Sequence, residues 1–234
     1  MLANLGQRIG RLLFSGSCFL CRGEAADILC AQCDAELPRL KGALCPRCAL
    51  ASPNGALCGR CLTQAPHYDA TIAALSYGFP ADVLVQALKF HGELALAPML
   101  ADLLSKCVAG RSEADCIIPV PLSAGRLRER GSNHALEIAR QVARATGRRL
   151  APELCERRRD TPPQIGLPLA ERAKNVRGAF HCPQLVGGAR IAVLDDVMTT
   201  GATLDEVAAT LKRAGAARVE NWVVARTFPP GPPS

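Results

Sequence analysis

The chain has 234 residues, 49% hydrophobic and 21% charged, and its 28 Lys and Arg outweigh 21 Asp and Glu to give a formal charge of +7. That length suits one good core with a small appendage or two modest domains, and the composition is that of a soluble globular protein, with disorder expected only in the tail PPGPPS. No apolar run reaches the roughly 18 residues of a membrane-spanning helix, and the N-terminus, interrupted by Arg8 and Arg11 and without a small-residue cleavage site, does not read as a signal peptide, so a cytoplasmic protein is expected.

In chain order, Leu5, Ile9, Leu12 and Leu13 predict an amphipathic N-terminal helix. Four C-x2-C knuckles follow: Cys18/Cys21, Cys30/Cys33, Cys45/Cys48 and Cys58/Cys61. Two residues between thiolates let one tight turn present both to a single ion, and two knuckles complete a tetrahedral all-cysteine site for zinc. Four knuckles therefore imply two structural zinc ions. CFLCRGEAADILCAQC and CPRCALASPNGALCGRC form an internal repeat. Loop closure favours sequential pairing, with Cys18, Cys21, Cys30 and Cys33 on one ion and Cys45, Cys48, Cys58 and Cys61 on the other; a crossed pairing stays open. Disulfides are disfavoured by the regular doublets and the missing secretion signal. Such a module has few apolar residues, so metal binding supplies much of its folding free energy. Modules of this kind bind nucleic acid or protein, or brace a neighbour.

From about His67 apolar runs alternate with helical periods. Strands are predicted at 71–77, 115–122, 189–197 and 218–227, and helices at 81–90, 94–108 and 133–147, with a last one carrying Leu204, Val207, Ala208 and Leu211 and stopping at Gly215. This alternation implies an α/β fold, a mainly parallel sheet with flanking helices. The expected organisation is an N-terminal helix and double zinc ribbon over 1–66, an α/β domain over 67–228 and a flexible tail over 229–234. The charge excess has an address: from Arg126 to Arg177 there are 12 Arg and 1 Lys against 6 acids, which points to phosphate-rich partners. A solvated basic face is the plainer reading of any one of these arginines, and RRRD at 157–160 reads as a solvated turn. His67, His91, His134 and His181 lack metal spacing, and Cys107, Cys116, Cys155 and Cys182 read as buried thiols.

The segment IAVLDDVMTTGATL, 191–204, places two acids after an apolar run and a small hydroxyl-rich turn before a helix. Such a turn offers backbone amides at a helix N-terminus, and Gly201 and Ala202 let an anion approach them closely while Thr199, Thr200 and Thr203 add hydroxyls. Asp195 and Asp196 suit the vicinal hydroxyls of a sugar. The segment resembles the phosphoribosyl pyrophosphate signature of type I phosphoribosyltransferases, whereas no Walker A or G-x-G-x-x-G motif is present.

The order of zinc knuckles, PVPL, RLRERG, PPQIGLPLAERAKNVRGAF and acidic turn resembles the ComF family, implicated in natural transformation and DNA utilisation. The resemblance spans essentially the whole chain, with Gln164, Leu167, Arg172, Asn175 and Phe180 retained and Ser132 and His134 departing from the family's pattern. It implies a type I phosphoribosyltransferase-like fold, a pyrophosphate loop carrying Arg126, Arg128 and Arg130, a phosphate contact from Lys89, and Mg²⁺ bound with phosphoribosyl pyrophosphate. Where turnover occurs, a nucleophilic nitrogen would displace pyrophosphate from the anomeric carbon, with Asp195 and Asp196 as the catalytic pair. Few aromatics leave no stacking hood for a base legible in the sequence. The implied partners are phosphoribosyl pyrophosphate, single-stranded DNA and proteins of the DNA-uptake machinery. Two other readings stand beside this one: a single-stranded-DNA-binding zinc ribbon with a regulatory or vestigial phosphoribosyl site, and a nucleobase-salvage phosphoribosyltransferase.

Overall fold

A computed structural model describes residues 16–160 and 169–229. The expected N-terminal helix through Leu13, the motif residues Gln164 and Leu167, the side chain of Arg172 and the tail beyond Pro229 lie outside the described residues.

The Cys-rich segment is built of short pieces. Strands β1 (Gly16–Ser17) and β2 (Glu24–Ala25) pair antiparallel, and one-turn helices α1 (Ala31–Ala35) and α2 (Gly59–Thr63) open at Cys30 and Cys58. The rest of the chain runs β3 (Ala70–Ser76), α3 (Ala81–Phe90), α4 (Leu96–Val108), β4 (Cys116–Pro119), α5 (Ala124–Arg130), α6 (His134–Thr146), β5 (Arg149–Leu150), β6 (Glu156–Arg157), α7 (Leu169–Val176), β7 (Phe180–His181), β8 (Arg190–Met198), α8 (Ala202–Arg213) and β9 (Arg218–Arg226). Five strands form a sheet in the order β3-β9-β8-β4-β5, every neighbouring pair parallel. The central strands read as unbroken apolar runs because helices cover both faces. On one face lie Leu84, Leu88, Leu100, Leu104, Ile138 and Val142 of α3, α4 and α6; on the other, Leu204, Val207 and Leu211 of α8. Each of these fully buried side chains stabilises the fold by about 1.5–3 kcal/mol.

The ribbon packs directly on this sheet. Cys18, Ala25, Leu29 and Leu37 join the first face's core, and Cys45, Cys48, Ala49 and Cys61 the second's. Between the two halves, Arg39 forms an antiparallel bridge to Leu75, Leu40 N–H donates to Ala74 O (3.2 Å), and Thr71 N–H donates to Pro46 O (3.1 Å). The otherwise open edge of β3 is thereby covered, a common protection against edge-to-edge pairing.

One segment differs from its expected form. The arginine-rich stretch after PVPL is a helix, not a loop: Ser123 Oγ caps α5 by accepting from Arg126 N–H (3.4 Å), good helix formers follow, and Gly131 ends it at φ 73°. The acidic pair lies inside β8, as the strand expected over 189–197 implies, and β8 pairs with β9 as far as Met198.

Candidate functional site

Strand order fixes where a ligand can enter. From β4 the chain moves outward to β5, then returns to β8 on β4's other side and continues to β9, so the connections leaving β4 and β8 diverge at their carboxyl ends. Open α/β sheets bind ligands at such a point. A cavity of about 370 Å³ lies there, lined by the ends of β4 and β8, the turn into α8, the last turn of α3 and parts of α5 and α6.

Asp195 and Asp196 form one wall of it. Burial, reinforced by the charge of Asp196, pushes the Asp195 carboxyl up to about 7, and its Oδ1 accepts the Asp196 N–H at 2.9 Å. Asp196 is 7% exposed and pairs with Lys89 Nζ at 2.8 Å. Burial alone would lower the Lys89 pKa, but Asp196 and Asp195 outweigh it and hold it above the usual lysine value.

The turn after β8 depends on Gly201. Its φ of 85° is a left-handed conformation, and a Cβ there would come within 2.6 Å of Met198 Cε and 3.1 Å of Tyr68 Oη. Gly201 is the N-cap of α8, whose N-terminus therefore points into the cavity with no side-chain cap on it, while Thr200 Oγ1 accepts from Ala202 N–H at 3.2 Å. Thr199, Gly201, Ala202 and Thr203 line the cavity; Thr200 is not among the lining residues. Opposite them stand Arg126 and Arg130, four residues apart and hence on one face of α5, whereas Arg128 is exposed on the other.

Four residues that the sequence did not single out for this site also line it: His134, Arg157, Tyr77 and Phe90. His134 is 4% exposed, and burial lowers its pKa against the opposing pull of Asp196. Arg157, in the stretch expected to be a solvated turn, has its guanidinium 5.5 Å from the Phe180 ring centre. Tyr77 and Phe90 supply the aromatic surface that composition alone did not reveal. Asn133 at the start of α6 was the one nearby signal: it caps that helix by accepting from Leu136 N–H (3.3 Å) and anchors it to the residue just past β4 by donating to Val120 O (3.1 Å).

The cysteines group sequentially. The sulfurs of Cys18, Cys21, Cys30 and Cys33 lie within 4.8 Å of one another, as do those of Cys45, Cys48, Cys58 and Cys61. A tetrahedron with Zn–S bonds of about 2.3 Å has edges of roughly 3.8 Å, and the Cys21–Cys30 and Cys48–Cys58 pairs stand at 3.8 and 3.6 Å. The third cysteine of each set donates its N–H to the first sulfur, Cys30 to Cys18 at 3.3 Å and Cys58 to Cys45 at 3.4 Å. Amide donors from Cys21 and Cys30 pull the Cys18 thiol down to about 6; at Cys45 burial pushes up, but amides of Cys58 and Cys48 bring it to about 7. Both clusters fit a zinc ion. Of the remaining cysteines, Cys116 and Cys155 are buried while Cys107 and Cys182 are partly exposed. No helix among the described residues is long and apolar enough to cross a membrane.

Comparison with known proteins adds the following. Residues 9–62 match the family model described as a double zinc ribbon domain. The chain is 34% identical over 227 residues to DNA utilization protein YhgH of Salmonella typhimurium, covering 93% of this chain and 100% of that protein. It is 30% identical over 226 residues to competence protein F of Haemophilus influenzae (91% and 98%) and 25% identical over 222 residues to competence protein ComFC of Streptococcus pneumoniae (94% and 97%). Among solved structures, glutamine phosphoribosylpyrophosphate amidotransferase from B. subtilis matches at a TM-score of 0.38 with 23% identity, covering 54% of this chain and 25% of that one. Purine phosphoribosyltransferase from Pyrococcus horikoshii matches at 0.31 with 17% identity (68% and 88%). Both structural likenesses are loose.

Proposed function

This chain belongs to the ComF family of competence and DNA-utilisation proteins, and from that premise we propose that its cavity binds phosphoribosyl pyrophosphate with Mg²⁺ in the service of DNA uptake or utilisation. One observation carries the reading. A turn built for an anion, a pair of carboxylates and two arginines meet around a single cavity at the point where the sheet's connections diverge.

The roles follow from chemistry. The 5-phosphate lies against the turn at Thr199–Thr203, where amides and hydroxyls donate to its oxygens. Asp195 and Asp196 accept from the ribose hydroxyls. Arg126 and Arg130 face the pyrophosphate, and their planar forks suit phosphate oxygens. Asp195 and Asp196, adjacent hard oxygen donors, would hold Mg²⁺, which would supply neutralisation of the pyrophosphate charge. Lys89, paired with Asp196 at 2.8 Å, would donate to phosphate oxygens once the ribose hydroxyls engage that carboxylate. In a transfer reaction Asp195 and Asp196 would stabilise positive charge developing on the ribose, and the acceptor would meet the rings of Tyr77 and Phe90. Calorimetric titration with phosphoribosyl pyrophosphate and Mg²⁺, followed by a screen for pyrophosphate release over bases and amines, tests first the ligand and then the reaction.

A further inference from the structure

The second tetracysteine cluster is wired to the phosphate turn. Arg226, at the end of β9, is 1% exposed and gives its guanidinium to backbone carbonyls on both sides. Its Nε donates to Cys48 O at 2.9 Å, and its Nη1 donates to Met198 O at 2.9 Å and to Thr199 O. A second arginine makes a parallel link: Arg60, which lies between the ligands Cys58 and Cys61, donates Nη2 to Thr200 O at 2.8 Å. A third link runs through the linker, where His67 N–H donates to Asp205 Oδ1 in the first turn of α8 at 2.6 Å, and Tyr68 Oη stands against Gly201.

These bonds hold three consecutive carbonyls, Met198 and Thr199 through Arg226 at the end of β9 and Thr200 through Arg60 of the ribbon, and Met198 O also accepts from Thr227 N–H at 3.0 Å. Because N–H and C=O of a trans peptide point opposite ways, the N–H groups of these peptide units point away from the two arginines, and Thr199 and Gly201 line the cavity. The buried Arg226 has no carboxylate among its hydrogen-bond partners in the described residues; the anionic group beside it is the cluster itself, since a tetrathiolate zinc centre carries net negative charge. We propose that the zinc site of Cys45, Cys48, Cys58 and Cys61 is a positioning device for the phosphate turn, with Arg226 and Arg60 as the positioning residues, so that sugar-phosphate binding and retention of this second zinc reinforce each other. The cluster of Cys18, Cys21, Cys30 and Cys33 packs on the opposite core and has no such bonds to the turn among the described residues, so its ion is uncoupled.

The inference rests on the proposed phosphoribosyl ligand, and its test separates the two. The full-length zinc-loaded protein is exposed to a chromophoric chelator with and without phosphoribosyl pyrophosphate and Mg²⁺. The two release phases are assigned with Cys21→Ser, which weakens only the first site. Because coupling of binding free energies is reciprocal, the ligand should raise the chelator concentration needed to release the second zinc at equilibrium by roughly five-fold or more and leave the first unchanged. Arg60→Ala should retain both ions yet bind the ligand several-fold more weakly and lose part of the protection, and Arg226→Lys should lose more of it. Ligand that binds the wild type but leaves the second zinc's release unchanged overturns the coupling alone, as does full protection in both arginine variants. No ligand binding to the wild type overturns the phosphoribosyl reading and this inference with it.

Discussion

Lys89 and Asp196 share a pair at 2.8 Å in a largely buried setting, and its removal from one side leaves a charge without a partner. Losing one partner of a buried pair costs about 3–5 kcal/mol, so Lys89→Met should lower stability by about 3 kcal/mol, and adding Asp196→Asn should recover most of it in denaturant titrations. Asp195 sets a pH dependence. Its carboxyl titrates near 7 in the folded protein and near the ordinary aspartate value when unfolded. Below about pH 4 both states hold the proton and the group is neutral to stability. Between about pH 4 and 7 the unfolded state has lost this proton while the folded state keeps it, held by burial and the Asp196 charge, so stability falls with rising pH across that window and levels off above it. Asp195→Asn should therefore stabilise the ligand-free protein at pH 8 and leave it unchanged near pH 4. Ligand binding that needs the carboxylate should run the other way, weakening as pH falls below 7, an effect that Asp195→Asn abolishes in calorimetric titrations over pH. Gly201→Val combines a strained φ with a clash on Met198 and Tyr68; a loss of about 1–3 kcal/mol, measured by thermal melting, is expected together with weakened ligand binding.

At the scale of elements, α5 turns an arginine run into a face. Its cap at Ser123 is worth about 1 kcal/mol, and Ser123→Ala should weaken phosphoribosyl pyrophosphate binding with little change in global stability, because the helix is short and peripheral. The strands and long helices were legible because core-facing runs such as 191–194 and the spacing of Leu204, Val207 and Leu211 carry their own period. The helix at 124–130 was not, since its buried residues are none and its apolar signal is only Leu127. The acidic turn and the knuckles could be found from local chemistry. His134, Arg157, Tyr77 and Phe90 could not: they come from four separate stretches of the chain and meet only after the sheet has formed.

For the whole molecule, the ribbon is part of the core rather than an attachment. Its halves contribute to the two opposite hydrophobic layers and its linker covers the β3 edge. Stripping zinc with a strong chelator should therefore lower the melting temperature of the entire protein, not only unfold residues 18–61, and zinc should restore it; loss confined to the ribbon in hydrogen exchange would contradict this. The central claim is a phosphoribosyl pyrophosphate site at the carboxyl ends of β4 and β8. Calorimetric titration of that ligand with Mg²⁺ into the wild type and into Asp195→Asn/Asp196→Asn tests it most directly. Saturable, Mg²⁺-dependent binding to the wild type that collapses in the folded double variant is the predicted result. Undiminished binding in that variant, or none to the wild type, would contradict the account.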